Sequence, residues 1–182
     1  MKAMESPLTI EELTPERFEE KAVVHSLTWH ETYEGMLPDE FVSLVTPEFA
    51  LRVTKRHDPR YTLVAVRHDA IVGFVEYLPQ TGEELVTPHA SEIGALYVLR
   101  SAQHEGVGTR LIDAALSIMP EPYAALTVFT GNAHAIGFYK HMGFRSTGHI
   151  IPDDFDTQSL EMTNGPLGLQ HGHDRPRTAS QD

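Results

Sequence analysis

The spacing of apolar positions divides this chain into an early helical part, a strand-rich middle and a closing mixture of the two. Leu8-Thr9-Ile10 reads as a short opening strand. Thr14-Pro15-Glu16 then starts a helix, with threonine as cap and proline in the first turn. Its pattern runs through Phe18, Ala22, Val23 and Leu27 toward Trp29 and Tyr33, until Gly35 and Pro38 break it. A second helix is expected through Phe41, Leu44 and Val45, and a third from Pro47 to about His57-Asp58-Pro59. The period then shortens. Tyr61 to Val66 and Ile71 to Leu78 form a hairpin around His68-Asp69, and Pro79 to Ser91 is a polar loop. Ile93 to Leu99 is a buried strand, Thr109 to Leu116 a helix, and Pro120 and Pro122 stop that helix. Tyr123 to Phe129 is a strand, and Asn132 caps a helix reaching Met142. Gly143 ends this helix in the left-handed conformation, and Phe144 to Ile151 and Gln158 to Thr163 close the pattern as strands.

One strand–helix–strand crossover among hairpins predicts an α+β fold: a mostly antiparallel sheet of six to seven strands with one parallel pair, flanked by helices. Residues 1–164 are expected to form a single domain and residues 165–182 a disordered polar tail. With 182 residues, 41% hydrophobic and 22% charged, the chain can bury a substantial core. The absence of cysteine excludes disulfides, thiolate metal sites and a cysteine nucleophile, and fits a cytoplasmic protein. A formal charge of -12 opposes general nucleic-acid binding, and no apolar run is long enough to cross a bilayer. That acidity either attracts a cationic molecule or simply keeps the protein soluble. The histidines show no repeated metal-ligand spacing, so no metal is expected.

The chemistry concentrates between residues 92 and 145. Gln103-His104-Glu105-Gly106-Val107-Gly108 lies between the buried strand and its helix. Unpaired N–H groups at a helix start, approached past glycines, form a socket for phosphate. The turn lacks the Gly-Lys-Ser/Thr of a P-loop, and it does not open a dinucleotide-binding unit at the first strand. Asn132, then Ala135-Ile136-Gly137-Phe138-Tyr139, then Met142-Gly143-Phe144 follow beyond the next strand.

In these two segments the chain resembles the Gcn5-related N-acetyltransferases, over about residues 6 to 163 by element order. The stretch Trp29-His30-Glu31-Thr32-Tyr33-Glu34-Gly35-Met36-Leu37-Pro38 is similar to a bacterial small-amine branch of that family. The resemblance implies that a bulge interrupts the central strand and splays it from the strand at Thr127 to Phe129, making a slot for the thioester, and that acetyl-CoA is the co-substrate. Main-chain groups of Leu96, Tyr97 and Val98 would hold the pantetheine arm. Gln103, His104, Glu105, Gly106, Val107, Gly108 and Thr109 would form the pyrophosphate turn. Asn132 would bind the arm, and Tyr139 would face the sulfur as general acid. Val98 N–H would stabilise the oxyanion when a neutral amine attacks the thioester directly. A homodimer is also implied.

Two residues depart from the family pattern. His104 and Glu105 stand where a glycine and a basic residue are common, and a carboxylate beside a diphosphate is unfavourable. Glu92, at the start of the central strand, is the candidate general base or else a solvated carboxylate. Tyr139 is an acid or a plain core aromatic, and Trp29 and Tyr33 wall an acceptor site or belong to the core. Glu31 and Glu34 either recognise a cationic amine or are solvated. The expected activity is acetyl transfer to a primary amine of a small, polyamine-like molecule. The alternatives are a protein N-terminus or lysine as acceptor, and a non-catalytic acyl-CoA-binding module.

Overall fold

The computed structural model describes residues 7–154 and 156–167; the tail expected to be disordered lies outside them from residue 168 onward. Seven strands form one sheet in the order β1-β2-β3-β4-β5-β7-β6. They are β1 (Thr9–Glu12), β2 (Thr62–Arg67), β3 (Ala70–Leu78), β4 (Ala90–Val98), β5 (Tyr123–Phe129), β6 (Arg145–Pro152) and β7 (Gln158–Thr163). Every neighbouring pair is antiparallel except β4 and β5, as a single crossover requires. The helices are α1 (Phe18–Tyr33), α2 (Asp39–Val42), α3 (Pro47–Arg56), α4 (Val107–Ile118) and α5 (Ala133–His141).

Local signals account for most boundaries. Thr46 caps α3 by accepting from Phe49 N–H at 3.2 Å, and Asn132 caps α5 by accepting from Ala135 N–H at 3.0 Å. Gly143 is left-handed with φ +90° behind α5, and both hairpin residues His68 and Asp69 have positive φ. Two expectations need correction. Thr14 makes no side-chain cap; Pro15–Arg17 form a separate 3-10 turn before α1 begins. The second helix is one turn, Asp39–Val42, because Leu44 and Val45 fall in the link to the Pro47 start of α3.

The edge strands β1 and β6 are largely exposed, whereas the centre of the sheet is covered on both faces. On one, α4 and α5 cover Leu63, Ala65, Val75, Ile93, Leu126, Val128 and Met162. On the other, α1 covers Val64, Val66 and Phe74. Alternation would place Ile93, Ala95 and Tyr97 on one face. Instead Glu76 opposes Ala95 and Tyr77 opposes Ile93, so Gly94 is an extra residue in β4. After this bulge Leu96 and Val98 join Ile93 on the α4 face, whereas Ala95 and Tyr97 turn toward α1.

Beneath α1 lies a buried polar cluster. Lys21 Nζ meets Glu76 Oε1 at 2.5 Å and donates to Thr54 Oγ1 at 3.1 Å. It also lies 4.1 Å from the centre of the Phe74 ring. His25 packs against Phe74 and Tyr97, each with ring centroids 5.3 Å away, and its Nδ1 is buried without a partner. Burial lowers the His25 pKa from its ordinary 6.5 to about 4; Lys21 pushes the same way and Glu76 opposes.

The unfolded chain therefore binds a proton that the folded protein refuses between about pH 6.5 and 4. The stability tied to neutral His25 is complete above the upper limit and lost as pH falls through the window. Its size is on the order of 3 kcal/mol. Urea unfolding at pH 7.5 and pH 5 should show about 2 kcal/mol of this loss, and His25→Phe should flatten it. An unchanged slope in the variant would contradict the assignment.

Candidate active site

The parallel strands β4 and β5 pair only from Ala90↔Tyr123 to Ile93↔Leu126. Beyond Ile93 they separate, although β4 continues to Val98 and β5 to Phe129. The two strands open into a slot that begins just past the bulge. Leu99 N–H donates to Val72 O at 2.9 Å, which fixes the direction of the peptide groups before it. By alternation, the main-chain groups of Tyr97 turn toward β3 and those of Leu96 and Val98 toward the slot. Val98 O already accepts from Gln103 Nε2 at 3.0 Å, tying the strand end to the turn that follows.

That turn leads into α4. Gly106 is the helix N-cap, with φ +79°, and a side chain there would meet open space. The first helical N–H with a carbonyl partner is Arg110, which donates to Gly106 O at 3.0 Å. Among the described residues, the N–H groups of His104 to Thr109 donate to no main-chain carbonyl. With the positive end of a twelve-residue helix behind them, these residues fit a diphosphate. Gly108 has a different reason for being glycine: a Cβ would come within 3.3 Å of the Phe138 ring, so the residue lets α4 pack against α5. Glu105 does not stand alone, since its carboxylate is paired with Arg67 at the end of β2.

The opening of the slot lets side chains from opposite faces of the sheet meet. The hydroxyl of Tyr33, the last residue of α1, interacts with the Tyr97 hydroxyl and the Asn132 side chain. Tyr139 comes from α5, is buried, and has its pKa raised by burial and further by Tyr33. Tyr97 is raised strongly, first by burial, then by Tyr33, with smaller effects from Tyr139 and Glu76. Three phenols and one amide thus converge where β4 and β5 part. All three phenols remain protonated at neutral pH.

Of the remaining sequence candidates, Trp29 packs against Tyr33 with centroids 4.4 Å apart and ring planes inclined by 52°, and it meets Phe41 edge-on at 5.6 Å. It also packs against Ala22, Val45 and Ala50, so one ring serves both the α1–α3 core and the flank of Tyr33. Glu92 shares the α1 face with Tyr97, and its Oε2 accepts from Gly82 N–H at 2.9 Å. It precedes the slot, four residues before Leu96 and about 13 Å away along the strand. Glu31 accepts from Arg100 N–H at 2.9 Å and takes the Arg100 guanidinium on its carbonyl, joining the end of α1 to the end of β4. Glu34 is exposed.

Sequence reasoning missed three groups. The Tyr97 side chain was hidden by the bulge that decides its face. Asp153, near Tyr33, comes from the β6–β7 connection. Glu161 of β7 is fully buried and accepts from Val86 N–H and Thr87 N–H, both at 3.0 Å, fastening the β3–β4 loop to the sheet. A carboxylate between Leu160 and Met162 was its only signal.

This combination of sheet, split and turn is the architecture of enzymes that take an acyl group from a coenzyme A thioester. Residues 15–144 match the acetyltransferase (GNAT) family, and the chain belongs to it. It is an acyltransferase, and acetyl-CoA is its co-substrate. The chain is 24% identical over 166 residues to a probable N-acetyltransferase, Rv2775, of Mycobacterium tuberculosis, covering 88% of this chain and 91% of that one. A 60-residue stretch, 33% of this chain and 40% of the relative, is 40% identical to the peptidyl-lysine N-acetyltransferase YjaB of Escherichia coli. The fold is shared with PaiA N-acetyltransferase from Thermoplasma acidophilum, solved with coenzyme A: TM-score 0.64, 22% identity, covering 85% of this chain and 98% of that one. No helix among the described residues is long and apolar enough to cross a membrane.

Proposed function

We propose that the chain transfers the acetyl group of acetyl-CoA to the primary amine of a small, cationic, polyamine-like acceptor by direct attack in a ternary complex. The observation carrying this reading is a carboxylate, Asp153, close enough to the Tyr33 hydroxyl to add to burial in raising its pKa. Asp153 acts on the Tyr33 hydroxyl, and its Oδ2 accepts from Ser159 Oγ at 2.6 Å, so the carboxylate is held in place. The net charge of -12 adds a long-range pull on cations.

In this mechanism the amides of His104 to Thr109 hold the diphosphate, and Leu96 and Val98 hold the arm as an added strand would. Asn132 completes that grip through the side chain that Tyr33 now engages. The thioester supplies an activated acyl carbon. Val98 N–H stabilises charge gathering on its oxygen, and Tyr139 donates to the departing sulfur. Glu92 accepts the proton lost by the amine; the distance along β4 means that waters carry it there. Trp29 and Tyr33 flank the acceptor.

The second reading, a peptide lysine as acceptor, draws on the resemblance to a peptidyl-lysine N-acetyltransferase. Both acceptors present a primary ammonium on an aliphatic stem. Thiol release from acetyl-CoA over a panel of diamines, polyamines, lysine peptides and free peptide N-termini separates them. The proposal expects the polyamines to give the highest kcat/KM. Preference for lysine peptides would replace it with the second reading, and binding without turnover on any acceptor would reject both.

A further inference from the structure

We propose that Arg67 is a coenzyme-positioning residue, which cancels the charge of Glu105 so that the turn before α4 can accept a diphosphate. The argument starts from topology. β2 ends and β3 begins at the end of the sheet where β4 finishes, because Gly73 opposes Val98 and Arg67 opposes Ala70. The core side chains of α4 pack over β2 and β3, so the turn entering α4 stands above the end of β2. Glu105 projects from that turn immediately before the left-handed Gly106, and its carboxylate meets the Arg67 guanidinium.

Without this partner the turn would work against itself. Its N–H groups and helix dipole attract an anion, while a carboxylate among them repels one. Arg67 removes the conflict from a distant part of the sequence. The side chains are 25% and 48% exposed for Arg67 and Glu105, so the pair adds little to folding and its removal leaves the fold intact. Its effect falls on the ligand. Other charged or titratable groups nearby do not substitute for it. His104 faces His134 across 6.0 Å between ring centroids, and Arg17, which donates to the main-chain carbonyl of Asp69 at 3.1 Å, is ion-paired with Glu11 and Glu20. Among the described residues Arg67 is the one cation in ion-pair contact with Glu105.

The inference rests on the reading that the 104–109 amides receive the diphosphate, and a double-mutant cycle that removes each charge separates the two. Coenzyme A affinity is measured by calorimetry for the wild type, Arg67→Gln, Glu105→Gln, the double variant and Arg67→Lys, each with its thermal midpoint. Arg67→Gln should weaken binding about fivefold without moving the midpoint. Arg67→Lys should stay within about twofold of wild type, as should the double variant, in which no charge remains to cancel. The Arg67→Gln defect should shrink in high salt. Unchanged affinity in Arg67→Gln overturns the proposal. So does a double variant as weak as Arg67→Gln, which would mean that the guanidinium binds the coenzyme itself. Normal affinity in every variant, with coenzyme protecting amides elsewhere, would instead overturn the placement of the diphosphate.

Discussion

Replacing Lys21 with methionine while Glu76 keeps its charge is expected to lower the free energy of unfolding by about 3–5 kcal/mol. The ammonium is fully buried and the carboxylate side chain nearly so, with 0% and 10% exposure. Their 2.5 Å contact, the Thr54 hydroxyl and the Phe74 ring compensate the charge of Lys21 inside the protein. Burial still lowers the Lys21 pKa despite Glu76, so desolvation is the larger influence on its charge. A lone carboxylate at Glu76 would have neither water nor cation. The double variant Lys21→Met/Glu76→Leu should recover most of the loss, because an apolar pair of similar volume needs no compensation. Urea unfolding with constant m-value measures both. A single variant costing less than about 1 kcal/mol would mean that water reaches Glu76 and that the cluster is not dry.

Tyr139→Phe is expected to lower kcat about a hundredfold while leaving coenzyme affinity nearly unchanged. The hydroxyl is the only group lost, and the ring contacts with Phe138 and Phe144 at 5.4 and 5.9 Å survive. Burial raises the Tyr139 pKa, so the phenol keeps its proton throughout the neutral range, as a donor to sulfur must. In the proposed role the phenol would hold its proton until the thiolate departs. The effect should therefore appear in the turnover step, in single-turnover kinetics at saturating acetyl-CoA. An equal fall in affinity would make Tyr139 a packing residue, and an unchanged kcat would remove it from the chemistry.

Much of this molecule was legible in its sequence because local signals carried it. Element order, the hairpin at His68-Asp69, the Asn132 cap and the left-handed Gly143 all follow from residues next to the features they create. The two segments that matched a family also marked the turn and the α5 helix that the structure places at opposite sides of one slot.

Features set by register were not legible. The resemblance implied a bulge in this strand but not its place: no residue near Gly94 announces that the extra residue falls there, and its position sends the Tyr97 side chain toward α1 and Val98 toward the slot face. The insertion of β7 between β5 and β6 is likewise a choice of pairing. Distant charge partners were invisible for the same reason. Glu105 looked like a defect in a phosphate turn because its partner Arg67 belongs to another hairpin, and the Lys21–Glu76 pair joins residues 55 apart that no local pattern links. Glycine was legible in position but less so in cause: Gly106 supplies a conformation, whereas Gly108 supplies room for Phe138.

The central claim is that main-chain amides at the start of α4 hold the diphosphate, with the arm laid along the open end of β4. It is tested most directly by following backbone amide resonances of the isotopically labelled protein as coenzyme A is added. The account predicts the largest shifts, and slowed hydrogen exchange, at His104 to Thr109, with smaller ones at Leu96, Val98 and Asn132. Shifts centred on Pro79 to Gly82 and Glu121 at the opposite end of β4, with the His104 to Thr109 amides unmoved, would contradict it.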